Sequence, residues 1–440
     1  MTDDSRRVSM LLGLLFGLAG MGSSSAAIAL PRMADDLGIS VGMGAWTISL
    51  YVLMLAVTTA LYGRISDLVG VRTPLLAGIG LMTAGAVGAA LAPTFEVLLA
   101  ARLFQGAGAA AIPTLGVAML SAKYDGAVRG LALGRLAGMA AAISCLGPLA
   151  GGVVEALLGW RAVMALPILG VLVLPLIWRA MPTEGSGARL DVVGAVLVAA
   201  TSAGMVLVIQ SPSTGLTVTV TGVLLLLLGT PAVAAQVRRR PHGFLPLAVI
   251  RNGTVVRSAL AASAVPAAWF ALLIAAPAVL IGDGWEPWQV GLLLVPSAGV
   301  GLLTPRYAGP LMGRIGATRA LAVAGVLGSL SLVVAAAGAW LTSGVVLGLT
   351  VVIVTVAFGL GQPALSAAVG DAVEPEVRGV ALGVGTLFFL VGGSVGAAVV
   401  GGLGELLGMP ASLLLLAAMP LLGLLALRPV LREVRPSASG

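Results

Sequence analysis

Along this chain, long apolar runs alternate with short polar gaps, and the gaps hold nearly all of the charge. A helix of about 20 apolar residues crosses a hydrocarbon core about 30 Å thick. A helix also satisfies its backbone polar groups within one segment, as that environment demands. The pattern predicts fourteen membrane helices, near residues 8–30, 43–62, 74–92, 97–120, 130–154, 160–180, 190–210, 217–237, 254–281, 287–308, 317–339, 343–370, 377–403 and 409–427. The first run, Ser9 to Leu30, is too long for a signal h-region and lacks a cleavage context, so it is read as the first span.

Composition removes the soluble alternatives. Of 440 residues, 59% are hydrophobic and 9% charged, against roughly a quarter charged in ordinary soluble domains. The net charge of +7 is not a nucleic-acid footprint, because the cations are nearly all arginines and most of them fall in alternate gaps. With both termini cytoplasmic, Arg64, Arg72, Lys123, Arg129, Arg238, Arg239, Arg240, Arg251, Arg314, Arg378 and Arg432 fall inside, and only Arg32 and Arg161 fall outside. That asymmetry is the orientation signal of a multi-pass plasma-membrane protein. The short loops leave no room for a soluble catalytic domain, and the absence of G-x-x-x-x-G-K-[ST] excludes a P-loop ATPase. The single cysteine, Cys145, lies in an apolar run, and the single histidine, His242, follows Arg238-Arg239-Arg240-Pro241. No metal site, cofactor or enzyme constellation is expected. Abundant Ala, Gly, Val and Leu, with Arg nearly replacing Lys, suggest a high-GC bacterium.

Three segments recur in order, displaced by about 250 residues. The loop at Gly63–Gly70 returns weakly at Gly309–Gly316, Val128–Gly134 returns strongly at Val377–Gly383, and Gly151–Gly159 returns at Gly401–Gly408 one residue shorter. Two parallel copies of one six-helix unit are expected. They occupy residues 1–180 and 241–440, with residues 181–240 supplying two linking helices.

At these residues the chain resembles the major facilitator superfamily, in particular its fourteen-helix drug:proton antiporter branch, which includes tetracycline and multidrug exporters. The loop Gly63-Arg64-Ile65-Ser66-Asp67-Leu68-Val69-Gly70-Val71-Arg72 resembles the signature between helices two and three, G-x-L-x-D-x-x-G-R-[RK]. The resemblance implies a conformational latch of Gly63, Asp67, Gly70, Arg72 and Arg129; an interfacial charge pair is the other reading. Arg102-Leu103-Phe104-Gln105-Gly106-Ala107-Gly108-Ala109-Ala110 resembles the fourth-helix signature R-x-x-Q-G-x-G-A-A, which implies proton handling by Arg102 with Gln105 beside it. An arginine inside a membrane helix normally faces a partner or a cavity, and a purely structural role is the alternative. Gly147-Pro148-Leu149-Ala150-Gly151-Gly152 matches the antiporter motif G-P-x-x-G-G and points to export.

Two departures bear on coupling. The stretch before Ala29-Leu30-Pro31 reads Gly22-Ser23-Ser24-Ser25, without the acid often present there, and the thirteenth helix is acid-free around Phe388-Phe389. Symmetry leaves Glu155 and Glu405 as proton-coupling candidates or interfacial anchors. An acid-poor pathway holding Arg102 and Arg135 favours neutral or anionic amphiphiles over lipophilic cations. Ser23, Ser24, Ser25, Trp46, Tyr51, Arg135, Gln210, Trp269, Gln362, Phe388 and Phe389 are the candidate cavity residues, offering hydrogen bonds and aromatic faces. The expectation is an all-α major facilitator fold acting as a monomeric secondary exporter, with protons, a small-molecule substrate and the bilayer as partners. An uncoupled facilitator or importer is the alternative.

Overall fold

A computed structural model describes residues 2–124, 126–178, 191–241, 243–374 and 378–433; within its helices, the side chains of Arg64, Asp67 and Gln210 lie outside the described set. Among the described residues, fourteen helices are long and apolar enough to cross a membrane. They are α1 (Asp4–Asp36), α2 (Val41–Gly63), α3 (Arg72–Ala90), α4 (Phe95–Ser121), α5 (Leu131–Leu158), α6 (Trp160–Ile177), α7 (Val192–Ile209), α8 (Leu216–Arg239), α9 (Gly253–Gly282), α10 (Pro287–Thr304), α11 (Ala317–Trp340), α12 (Gly344–Asp371), α13 (Ala381–Leu407) and α14 (Met409–Arg432). No strand occurs among the described residues. The side from which α1 starts is here termed the terminus face, and the opposite side the far face.

Local chemistry explains the element ends, and it repeats between the halves. Gly70 and Gly316 close helices with φ of 75° and 85°, and Gly159 and Gly408 do so with φ of 81° and 83°. Only glycine adopts that backbone without strain, so the paired motifs preserve a chain reversal. Ser40 caps the first turn of α2 by accepting the Met43 N–H at 3.1 Å. Asn252 caps α9, accepting from Thr254 N and Val255 N at 3.1 Å each, and donates to the Ala372 carbonyl at 2.8 Å. Asn252-Gly253-Thr254 is thus a helix start.

The helices are less regular than the periodicity predicts. α1 runs to Asp36 through Pro31, beyond the expected end at Leu30. α6 contains a tight 3-10 stretch from Leu166 to Val173, where Pro167 lacks a donor. α2 and α10 each break after a short first turn, at Ala45 and Leu294, a further likeness between the halves.

In packing, α1 lies along α5, α9 along α13, and α11 along α12, while α2 meets α13 and α5 meets α10 between the halves. α7 packs on α2 and α13, whereas α8 touches mainly α7. Leu216, Leu224, Leu227 and Leu228 of α8 remain exposed, as a peripheral lipid-facing span requires. The start of α7 is tied to the end of α8 by Asp191, which accepts from Gly194 N at 3.1 Å, Gln236 Nε2 at 2.8 Å and Phe244 N at 3.0 Å. Partial burial opposes its charge, but these hydrogen bonds and Arg240 outweigh it and hold the carboxyl below the ordinary range. Phe244 and Leu245 then pack among Ala195 and Val198 of α7.

Candidate functional site

The first half meets the second through glycine on the far face. A Cβ on Gly152 of α5 would lie 2.4 Å from the Pro287 carbonyl oxygen, and one on Gly291 of α10 would lie 2.6 Å from the Pro148 carbonyl oxygen. The equivalent contact joins the other two helices. A Cβ on Gly42 of α2 would lie 2.3 Å from the Gly401 carbonyl oxygen of α13, and the Gly42 N–H donates to Glu405 Oε1 at 2.8 Å. Small residues permit such backbone approach. Nearer the terminus face, Gly134 and Gly138 of α5 and Gly299 of α10 meet no atom within 4 Å at the Cβ position. The halves are therefore interlocked backbone to backbone on the far face, while Gly134 and Gly299 are exposed.

Within the first half, Gly147 and Gly151 seat α1. A Cβ on Gly147 would lie 2.0 Å from Ser24 Oγ, and one on Gly151 would lie 2.8 Å from Ser25 Cβ. Ser24 donates to the Ser144 carbonyl at 3.0 Å, and Ser25 to the Met21 carbonyl. Both serines thus lie in the contact between α1 and α5. Ser23 is also buried, with its hydroxyl 3.5 Å from the Gly20 carbonyl.

Arg102 is wholly buried. Its Nε donates to the Thr47 carbonyl at 2.9 Å, Nη1 donates to Gln105 Oε1 at 2.6 Å, and Cζ stands 4.3 Å from the Tyr51 ring centroid. Tyr51 donates to the Ala19 carbonyl at 2.8 Å, so α1, α2 and α4 converge on this cluster. The glycines that follow explain the motif: Cβ atoms on Gly106 and Gly108 would lie 2.3 Å from Tyr51 O and 2.2 Å from Met82 N. No carboxylate lies within 4 Å of Arg102 among the described residues. Cation–π attraction and two hydrogen bonds stand where a counter-charge is usual. Trp46 is buried beside Thr47, and its indole N–H lacks a partner among the described residues.

The remaining candidates separate. Trp269 of α9 lies tilted against Phe358 of α12, and Phe358 against Phe389 of α13, with 5.4 Å between centroids in each pair. Phe358 was not singled out by sequence, because one aromatic among apolar neighbours has no spacing signature. Phe388 is half-buried and Gln362 exposed. Arg135 is half-buried, without a carboxylate partner among the described residues. Of the expected latch, Gly70 forms the turn, Arg129 is exposed, and Arg72 lies over the Trp178 ring at 3.9 Å. The side chains of Asp67 and Gln210 lie outside the described residues.

The two symmetry-related acids differ sharply. Glu155 is 3% exposed, with Oε1 3.4 Å from Arg32 Nε. Arg32 Nη2 in turn reaches Glu286 Oε2 at 2.9 Å. Glu405 is exposed and accepts the Gly42 backbone N–H. Sequence missed Arg32 and Glu286, since their partnership spans distant parts of the chain.

Comparison with known proteins places this architecture. The chain is 30% identical to the multidrug resistance protein Stp of Mycobacterium tuberculosis over 66% of its own length and 56% of that protein's. It is 30% identical to the cephamycin export protein CmcT of Amycolatopsis lactamdurans over 86% of its length and 80% of that protein's. It is 27% identical to the methylenomycin A resistance protein of Streptomyces coelicolor over 88% of its length and 83% of that protein's. A solved POT family transporter in complex with 5-aminolevulinic acid shares the fold, with a TM-score of 0.71 at 13% identity over 98% of this chain and 96% of that one. A family model for the Major Facilitator Superfamily matches residues 12–397. With fourteen spans and this match across its length, the chain belongs to the Major Facilitator Superfamily of membrane transporters.

Proposed function

We propose that this protein exports amphiphilic small molecules by alternating access in exchange for protons. The observation that carries the reading is the glycine-to-backbone seam between α5 and α10, closed on the far face. A seam with two arrangements is what alternating exposure of a central site requires. Kinship with drug and antibiotic exporters supports the outward direction. On this reading residues 1–180 and 241–440 rock against each other with residues 181–240 linking them, both termini are cytoplasmic, and the chain works as a monomer in a bacterial plasma membrane. Arg102 and Gln105 serve coupling through the α1–α2–α4 cluster, and Trp269, Phe358 and Phe389 form an aromatic wall of the substrate site. Arg135 and the acid-poor interior favour neutral or anionic substrates. The acid-free cores of α1 and α13 support a second reading, an uncoupled facilitator.

The test is efflux of neutral, anionic and cationic amphiphiles from proteoliposomes, with and without an imposed pH gradient. Gradient-dependent efflux is expected. Movement indifferent to the gradient replaces antiport with facilitation.

A further inference from the structure

We propose that Arg32 and Glu286 form the clasp that holds the far face shut, and that Glu155 is the buried anchor presenting Arg32 to Glu286. Arg32 lies near the far end of α1 and Glu155 near that of α5, both in the first half. Glu286 immediately precedes α10, in the second half, and takes part in a capping box with Gln289. One edge of the Arg32 guanidinium serves both acids, Nε toward Glu155 at 3.4 Å and Nη2 toward Glu286 at 2.9 Å. The Glu155 side chain is 2% exposed, and its Oε2 has no hydrogen-bond partner among the described residues. Glu286 is 55% exposed. Glu155 therefore fixes the arginine, and Glu286 is the partner that leaves.

This inference rests on the alternating-access reading. α1 and α5 are joined by the Ser24–Gly147 and Ser25–Gly151 contacts, so they move together. Separation of α10 from α5 breaks the Arg32–Glu286 pair and keeps Arg32 beside Glu155. The released Nη2 then turns to the unpartnered Glu155 Oε2, giving a two-point guanidinium–carboxylate pair. The clasp is thus an exchange of one arginine edge between two carboxylates, which offsets the loss on opening. Closure gains the Glu286 contact, and opening gains the second Glu155 contact.

Cys145, the chain's single cysteine, reports on this movement: it is buried, and its Sγ lies 3.2 Å from the Cβ position of Gly301 in α10. In purified protein, Glu286→Gln is expected to speed alkylation of Cys145 by a hydrophilic thiol reagent about two- to fivefold, the range set by a solvent-screened ion pair. Glu286→Lys, which faces Arg32 with a like charge, is expected to exceed Glu286→Gln. High salt should bring wild type toward Glu286→Gln, because screening weakens the pair. Spin labels at the exposed Leu158 and Leu292, on a Cys145→Ala background, give a second measurement; Glu286→Lys should populate a longer distance. Unchanged alkylation and unchanged label distances in both Glu286 variants would overturn the clasp. Neither measurement needs a substrate, so a clasp that responds in a protein moving nothing in the efflux assay defeats the export reading alone.

Discussion

Glu155 and Glu405 stand at equivalent places in the two halves, yet Glu155 is 3% exposed and pairs with Arg32, whereas Glu405 is exposed and accepts the Gly42 N–H. Glu155 shares one arginine with a second carboxylate, and on the proposed reading a proton added there would leave Arg32 to Glu286. The expected outcome is that Glu155→Gln alters the pH dependence of efflux and Glu405→Gln leaves it intact. Proteoliposome flux across a pH series checks this, and equal profiles in all three proteins would return Glu155 to an anchoring role.

Gly152→Ala should disrupt closure of the far face. Its methyl would sit 2.4 Å from the Pro287 carbonyl oxygen, a backbone atom that yields only if α10 moves. Transport should fall at least about tenfold, the loss expected for a displacement costing roughly 1.4 kcal/mol in the cycle, while membrane insertion persists. Gly134→Ala, placed where a Cβ meets nothing within 4 Å, is the control expected to behave as wild type.

Arg102→Ala should abolish transport with the protein still in the membrane. It removes the donor to the Thr47 carbonyl, the Gln105 contact and the stack on Tyr51 together. Arg102→Lys should rescue poorly, because an ammonium lacks the planar fork that reaches both acceptors while lying over a ring. Asp67→Asn is expected to lose transport as well, through the latch in the Gly63–Arg72 loop. Flux normalised to membrane-inserted protein measures all three variants.

Asp191→Ala should lower thermal stability in detergent by about 1 kcal/mol, the usual cost of a lost helix cap. The carboxyl is held below its ordinary range, so its contribution is fully present above the unfolded carboxylate value near 3.9. That contribution disappears as pH falls through the lower folded value. The stability gap between wild type and Asp191→Asn should therefore narrow below about pH 4. A gap constant from neutral pH down to pH 3 would refute the linkage.

The sequence by itself determined the number of spans, the internal repeat and the family. Apolar length and turn glycines act locally, and local signals survive in one dimension: Gly70 with Gly316, and Gly159 with Gly408, are visible as repeats before their backbone angles are known. The G-P-x-x-G-G motif was legible too, but its physical setting was not. Only the tertiary structure assigned Gly147 and Gly151 to α1 and Gly152 to α10. That Ser24 and Ser25, cavity candidates by sequence, lie against Gly147 and Gly151 was likewise illegible, since a helix's facing is set by its neighbours. Arg32, Glu286 and Asp191 were illegible because each gains its role from a partner brought close by folding, Glu286 lying 254 positions from Arg32 along the chain. Charge attraction depends on distance in space, and the fold alone decides which distant residues share it.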